Sequence, residues 1–200
     1  MFSGIIKEIG ILVGFERTGN LLRYAVNGPL TSARSELGAS VAVDGVCQTV
    51  VARAGTVLHF EAVDETLKKT TLAGLHPGQS VHLEASLRLG DPVDGHLVTG
   101  HVDGVGIVES AQPGTGRHDL CVRVPASLER YLIKAGSITL AGVALTLYDV
   151  QGALAFVTLI PETLRRTHLG NLRPGDAVNV EVDMIGKWIE KLLAARLSGP

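Results

Sequence analysis

The chain has 200 residues, is 46% hydrophobic with few aromatics, and carries a net charge of -2 with no basic block. That balance argues against nucleic acid or an anionic membrane as a partner. Its two cysteines, Cys47 and Cys121, form no disulfide framework or metal-type spacing, and the opening MFSGIIKEIGILVGF is too interrupted for a signal peptide, so a reducing cytoplasmic setting is expected.

Taken in order, Phe2 to Val13 alternates loosely around Gly4 and Gly10 and predicts a strand with a bulge or bend. Asn20 to Val26 predicts a second strand, ended by Asn27-Gly28-Pro29, and Leu30 to Gly38 a short helix. Ser40 to Val43 and Cys47 to Ala52 are strands joined across Asp44-Gly45, a strong two-residue hairpin signal. Thr56 to Val63 is the next strand, and Glu65 to Thr71 makes one or two helical turns with Asp64 as its expected cap. Pro77-Gly78 turns the chain into a closing strand, Ser80 to Leu87. Six short strands separated by regular turns predict a small closed or nearly closed antiparallel barrel.

Leu87 to His96, rich in Gly, Pro and Asp, reads as a linker, and beyond it the same order returns. GASVAVDGVCQTV (Gly38 to Val50) maps onto AGSITLAGVALTL (Ala135 to Leu147) at an offset of 97, as does ETLKKTTLAGLHPGQSVHLE onto ETLRRTHLGNLRPGDAVNVE. FSGIIKEIGI maps onto VTGHVDGVGI with one residue fewer, pairing Gly4 with Gly100. Self-similarity at this period means one module used twice. The expected domains are residues 1–96, 97–183 and a tail, 184–200, whose Ile185, Trp188, Ile189, Leu192 and Leu193 mark one apolar helix face with no counterpart in the first copy. A short helix near Ser127 to Lys134 is also expected. The lone tail helix packs either on its own barrel or on its equivalents in other subunits, with self-association favoured.

Two similar barrels suit a ligand used in pairs. Cys47 follows the first hairpin and shares a strand face with Thr49, near Ser40; it is either a nucleophile or polar pocket group, or a small buried hydrophobe, as Ala144 is in the second copy. His96 and His101, five apart, would face opposite sides of a strand, which argues against joint metal ligation. Glu65-Thr66-Leu67 and Glu162-Thr163-Leu164 begin helices and either cap them or hold a polar heterocycle.

These residues together resemble the riboflavin synthase family. The MFSGI opening, the GAS…DGVCQTV stretch, DGHLVTGHVDG and IPETLRRTHLG agree with its motifs in order across nearly the whole chain. The resemblance implies an all-β fold of two tandem six-stranded Greek-key antiparallel barrels plus a C-terminal α-helix, assembled as a homotrimer held partly by those helices. It implies an active site between the first barrel of one subunit and the second barrel of another. There, two molecules of 6,7-dimethyl-8-ribityllumazine exchange a four-carbon unit to give riboflavin and 5-amino-6-ribitylaminouracil, with no cofactor or metal. Lumazine synthase is the implied protein partner. By resemblance Phe2, Ser40, Cys47 and His101 are catalytic, with Thr49 beside them and His96 nearby. Substrate-binding residues carried over are Gly4, Ile5, Ile6, Cys47, Gln48, Thr49, Glu61, Ala62, Val63, Asp64, Glu65, Thr66, Gly100, His101 and Val102, and in the second copy Ala144, Leu145, Thr146, Thr158, Leu159, Ile160, Pro161, Glu162 and Thr163.

The chain departs from the family in one cluster. Lys, Asp and Ser are usual where Ala135, Ala141 and Ala144 stand, and Lys134 is one residue early. The second reading is therefore an impaired paralogue that carries lumazine or flavin without turnover, resembling the lumazine proteins.

Overall fold

The computed structural model describes residues 1–197, with side chains through residue 194. Among the described residues, twelve strands close into two antiparallel barrels. The first contains β1 (Glu8–Thr18), β2 (Leu21–Asn27), β3 (Ser40–Val43), β4 (Val46–Ala54), β5 (Val57–Val63) and β6 (Ser80–Ala85), in the spatial order β1-β2-β5-β4-β3-β6. The second contains β7 (Gly104–Gly114), β8 (Arg117–Arg123), β9 (Ser137–Leu140), β10 (Val143–Gln151), β11 (Leu154–Leu159) and β12 (Ala177–Val182). Followed round from β7, its order is the same. Even the bulges repeat: register shifts at Val13 and Val51 in the first barrel recur at Glu109 and Tyr148 in the second. Such bulges raise local twist and let short strands curl shut.

Alternation along each strand fills the interiors. Val46, Gln48 and Val50 of β4 point inward while Cys47 and Thr49 lie on the other face. Leu12, Val26, Leu58, Phe60 and Leu83 are among the buried side chains of the first core, and Leu120, Ile138, Leu140, Leu147 and Leu159 of the second. Each contributes about 1.5–3 kcal/mol by leaving water.

The first strand begins later than its alternation predicts. Residues 3–7 leave the barrel, and Phe2 makes an isolated bridge to Val98 instead of joining the β1 ladder. Helix α1 (Pro29–Arg34) is shorter than expected; Glu8 accepts from the N–H groups of Leu30 (2.9 Å) and Thr31 (2.7 Å) at its start. The second copy has Gly104 in place of Glu8, and its corresponding segment, Ala126–Tyr131, winds as a 3₁₀ helix. Without a carboxylate, the first N–H groups there lack that acceptor. In helix α2 (Asp64–Lys69) extended Val63 occupies the N-cap position with no side-chain cap bond, so Asp64 is the first helical residue and pairs with Lys68 rather than capping. Helix α3 (Pro161–Arg166) repeats it.

Helix α4 (Met184–Leu197) follows the second barrel as its periodicity predicts; residues 198–200 of the expected tail lie outside the described residues. Its polar side docks: Lys187 pairs with Asp103 at 2.9 Å, and Glu190 accepts from Tyr131 and pairs with Arg130. Trp188 and Leu192 are 65% and 69% exposed, so the apolar stripe faces away from the chain that carries it. No helix among the described residues is long and apolar enough to cross a membrane.

Candidate functional site

The two barrels are joined by crossed arms. The segment before β1 leaves the first barrel, and Ile6 is buried within the core of the second. The segment before β7 does the reverse, with Val102 packed against the core of the first. The arms pair where they cross: Phe2 N–H donates to Val98 O at 2.7 Å and Val98 N–H to Phe2 O at 3.1 Å. Beyond the crossing, each arm bonds to the opposite hairpin, Ala144 N–H donating to Gly4 O and Cys47 N–H to Gly100 O, both at 2.8 Å. Glycine is required at both contacts. A Cβ on Gly4 would lie 2.6 Å from the Ala144 Cβ, one on Gly100 would lie 2.7 Å from the Cys47 Cβ, and both residues have φ of +75°.

This crossing assembles two similar shelves, each from one barrel's hairpin and the other barrel's arm. On the first, β4 brings Cys47, Gln48 and Thr49, and Ser40 pairs with Thr49 in the ladder. The β5–α2 junction brings Glu61 through Thr66, and the arm adds Gly100, His101 and Val102. Phe2 is fully buried with Ala42 and Val98, and half-buried Cys47 packs against that cluster. Cys47 is thus both an apolar contact and a group at the shelf edge. Thr49, Val63 and His101 are exposed, which leaves an open face. Gln48 points into the barrel, with Nε2 bonded to the Cys47 carbonyl and Oε1 buried without a partner. Glu61 is held by Arg23 at 2.8 Å.

The second shelf repeats this with Ala144, Leu145 and Thr146 on β10, Thr158 and Leu159 on β11, Ile160 through Thr163 at the start of α3, and Gly4, Ile5 and Ile6 from the arm. Its polar equipment is thinner. The Thr158 hydroxyl is taken by Asp119 at 2.6 Å, Glu162 is paired with Arg165 and Arg166, and Ala144 offers a methyl where Cys47 offers a thiol. Lys134 pairs with Asp149 at 3.0 Å, on the surface. Ala135 takes φ +64°, in the left-handed region, where the first copy has Gly38 at +81°. His96 lies with the first arm: its N–H donates to Ser3 O at 3.2 Å, and a Cβ on the preceding Gly95 would lie 2.9 Å from the Ala144 Cβ. That brings the segment carrying His96 up to the second shelf, two residues before Val98 joins the cluster against which Cys47 packs. Burial lowers its pKa, opposed by the charges of Asp183 and Glu181.

Two features escaped the sequence reading. The first is a pair of buried carboxylates at the arm roots. Glu84 accepts from Ser3 N–H (2.8 Å), the Ser3 hydroxyl (2.8 Å) and Gly4 N–H (3.1 Å). Glu181 accepts from Thr99 N–H (2.8 Å), the Thr99 hydroxyl (2.6 Å) and Gly100 N–H (2.9 Å). The repeat contained the signal, since VHLE and VNVE align and each copy has Ser or Thr before its arm glycine. Burial raises the Glu84 pKa, opposed by those three hydrogen bonds.

The second is a histidine stack on the seam between the barrels. His82 and His168 stack with centroids 3.7 Å apart. His82 Nδ1 lies 2.8 Å from Ala141 O, and a carbonyl only accepts, so Nδ1 carries the proton; Nε2 then accepts from His168 N–H at 2.9 Å. His168 Nε2 donates to Asp44 Oδ1 at 2.9 Å, which also accepts from His82 N–H at 2.8 Å. Three groups this close could hold a metal. The bonds already assigned leave His82 no free lone pair to give, so the cluster is a satisfied polar network. Burial lowers the His82 pKa to about 4.

A family model, lumazine binding domain, matches residues 3–86 and again 99–183. The chain is 40% identical over 200 residues to a riboflavin synthase of Chlamydia pneumoniae, covering 98% of each chain. It is 37% identical over 197 residues to one of Mycobacterium tuberculosis strain H37Rv, covering 96% of this chain and 98% of that one. The crystal structure of LumP complexed with riboflavin superposes with a TM-score of 0.86 at 26% identity, covering 92% of this chain and 100% of the other. LumP complexed with 6,7-dimethyl-8-(1'-D-ribityl) lumazine gives a TM-score of 0.84 at 26% identity, covering 92% and 99%. Two tandem matches to one domain model, with relatives similar over nearly their whole length, show that the chain belongs to the riboflavin synthase family of double lumazine-binding-domain proteins.

Proposed function

We propose that this chain is a riboflavin synthase. Two molecules of 6,7-dimethyl-8-ribityllumazine enter, a four-carbon unit passes from one to the other, and riboflavin and 5-amino-6-ribitylaminouracil leave. The observation that carries this reading is the pair of equivalent shelves, each built from one barrel's hairpin and the other barrel's arm. Identical reactants that play donor and acceptor need two similar cradles, and the first retains Ser40, Cys47, Thr49 and His101. The chemistry asks for a proton to leave the ring methyl of one lumazine while the second is activated by addition at the neighbouring carbon. Holding two rings in register supplies much of the acceleration, and positioned polar groups supply proton transfer.

Both shelves are open in the single chain, which suits completion by another subunit. The outward stripe of Ile185, Trp188, Ile189, Leu192 and Leu193 is the surface on which three copies would associate, giving the homotrimer. The balance of charge and the paucity of cysteine support a cytoplasmic setting, and an association with lumazine synthase rests on the family resemblance alone.

A second reading is favoured by Ala144, which places a methyl on the second shelf where Cys47 places a thiol on the first; Ala135 lies at a left-handed turn and Ala141 at the hairpin tip on the seam, off the shelf itself. On that reading the chain is a carrier that holds lumazine or flavin on the first barrel. Incubation with the lumazine alone separates the two. Growth of flavin absorbance with two lumazines consumed for each flavin formed supports the synthase, whereas a stable fluorescence shift of bound lumazine with no flavin formed selects the carrier.

A further inference from the structure

Each buried glutamate belongs to one barrel by sequence but acts on the other barrel's shelf. Glu181 lies on β12 of the second barrel, and its three bonds fix Thr99 and Gly100, whose carbonyl receives the Cys47 N–H of the first. Glu84 lies on β6 of the first barrel and fixes Ser3 and Gly4, whose carbonyl receives the Ala144 N–H of the second. Both side chains are almost fully buried, at 5% and 3% exposure for Glu84 and Glu181. A carboxylate offers only acceptors, and the facing groups on each arm are all donors. The match is charge-assisted and holds in one arm position. Removing it leaves Thr99–Gly100, or Ser3–Gly4, held at the glycine only by the carbonyl bond that crosses the seam.

We propose that Glu181 is a positioning residue for the first-barrel shelf and Glu84 for the second, each latching an arm that closes the opposite site. The geometry makes the two shelves reciprocally dependent: neither barrel finishes its own ligand platform. The consequence for pteridine binding rests on the functional reading above; the latch itself does not.

The test uses the full chain with Ala144→Cys added, so that each shelf carries one thiol at the equivalent position. Limited alkylation followed by peptide mass mapping reads both sites in one molecule. With Glu181→Gln, the side-chain NH₂ faces the arm's donors, and alkylation at position 47 is expected to rise about tenfold relative to position 144. Glu84→Gln is expected to shift the ratio the opposite way. General loosening would raise both rates together, so an unchanged ratio in either variant overturns the proposal, as does a shift of the same sign in both. Riboflavin titration of the natural chain and of Glu181→Gln completes the experiment, with binding expected to weaken about tenfold. If the ratio inverts but the natural chain binds no flavin, the latch stands and the functional reading falls.

Discussion

Gly45 and Gly142 meet backbone to backbone at the tips of their hairpins. A Cβ on Gly45 would lie 2.5 Å from the Gly142 nitrogen, and one on Gly142 would lie 2.7 Å from the Gly45 nitrogen. Both have φ of +79°. The contact lies on the approximate twofold that relates the copies, and it decides how near the hairpins stand and hence where both shelves lie. Gly45→Ala is expected to cost about 2–4 kcal/mol, from overpacking against backbone plus left-handed strain. Gly19→Ala, at φ +59° with nothing within 4 Å, is the control and should cost only about 1 kcal/mol. Urea denaturation midpoints of the two variants measure the difference.

The seam should be acid-sensitive. Burial holds the His82 pKa at about 4 against an ordinary value of 6.5, so the unfolded chain binds this proton more tightly than the folded one. Stability from this group is complete above pH 6.5, falls as pH drops, and has lost about 3 kcal/mol once pH passes the folded value. His82→Asn should flatten that slope between pH 4 and 6.5, because Asn179, its repeat equivalent, already makes the matching bonds to Asp44 O (2.9 Å) and Thr71 N–H (2.8 Å). Thermal unfolding across this pH range reads the effect.

Ala135 occupies a left-handed position at φ +64° that its repeat equivalent fills with Gly38. Ala135→Gly relieves steric strain but loosens the unfolded chain, and the balance is expected to favour the variant by about 0.5 kcal/mol. Denaturant titration should show a small gain with an unchanged slope.

The second shelf should respond to restored polarity. The Cys47 side chain fits opposite Gly100, so a hydroxyl fits opposite Gly4 by the same backbone geometry. If the chain is a synthase, Ala144→Ser is expected to raise its turnover about tenfold, with a smaller change in KM. Steady-state flavin formation gives both parameters, and an unchanged kcat would remove this position from the chemistry.

The α4 stripe should carry self-association. Trp188→Glu combined with Leu192→Glu places two charges on the exposed apolar face while leaving Lys187–Asp103 and Glu190 with its partners intact. Sedimentation velocity is expected to show a trimer for the natural chain and a monomer for the variant.

By itself the sequence determined the repeat, the six successive strands of each copy, the Asp44-Gly45 hairpin and the amphipathic tail. The repeat shows as self-similarity along the chain, and the rest is written in neighbouring residues: turn types, alternation and helical period act within a few positions of one another. The Ala141-Gly142 turn shows the limit of reading locally, since alanine disfavours the conformation it adopts there, at φ +46°, and the surrounding barrel imposes it. Only the tertiary structure decided that the arms cross, that Glu84 and Glu181 hold them, and that Asp44, His82 and His168 meet on the seam. Those partners lie 38 to 124 positions apart, from Asp44 with His82 to Asp44 with His168. A buried carboxylate or histidine has no periodicity of its own. Its partners are chosen by the packing of two closed barrels, and that choice becomes visible only once both have formed.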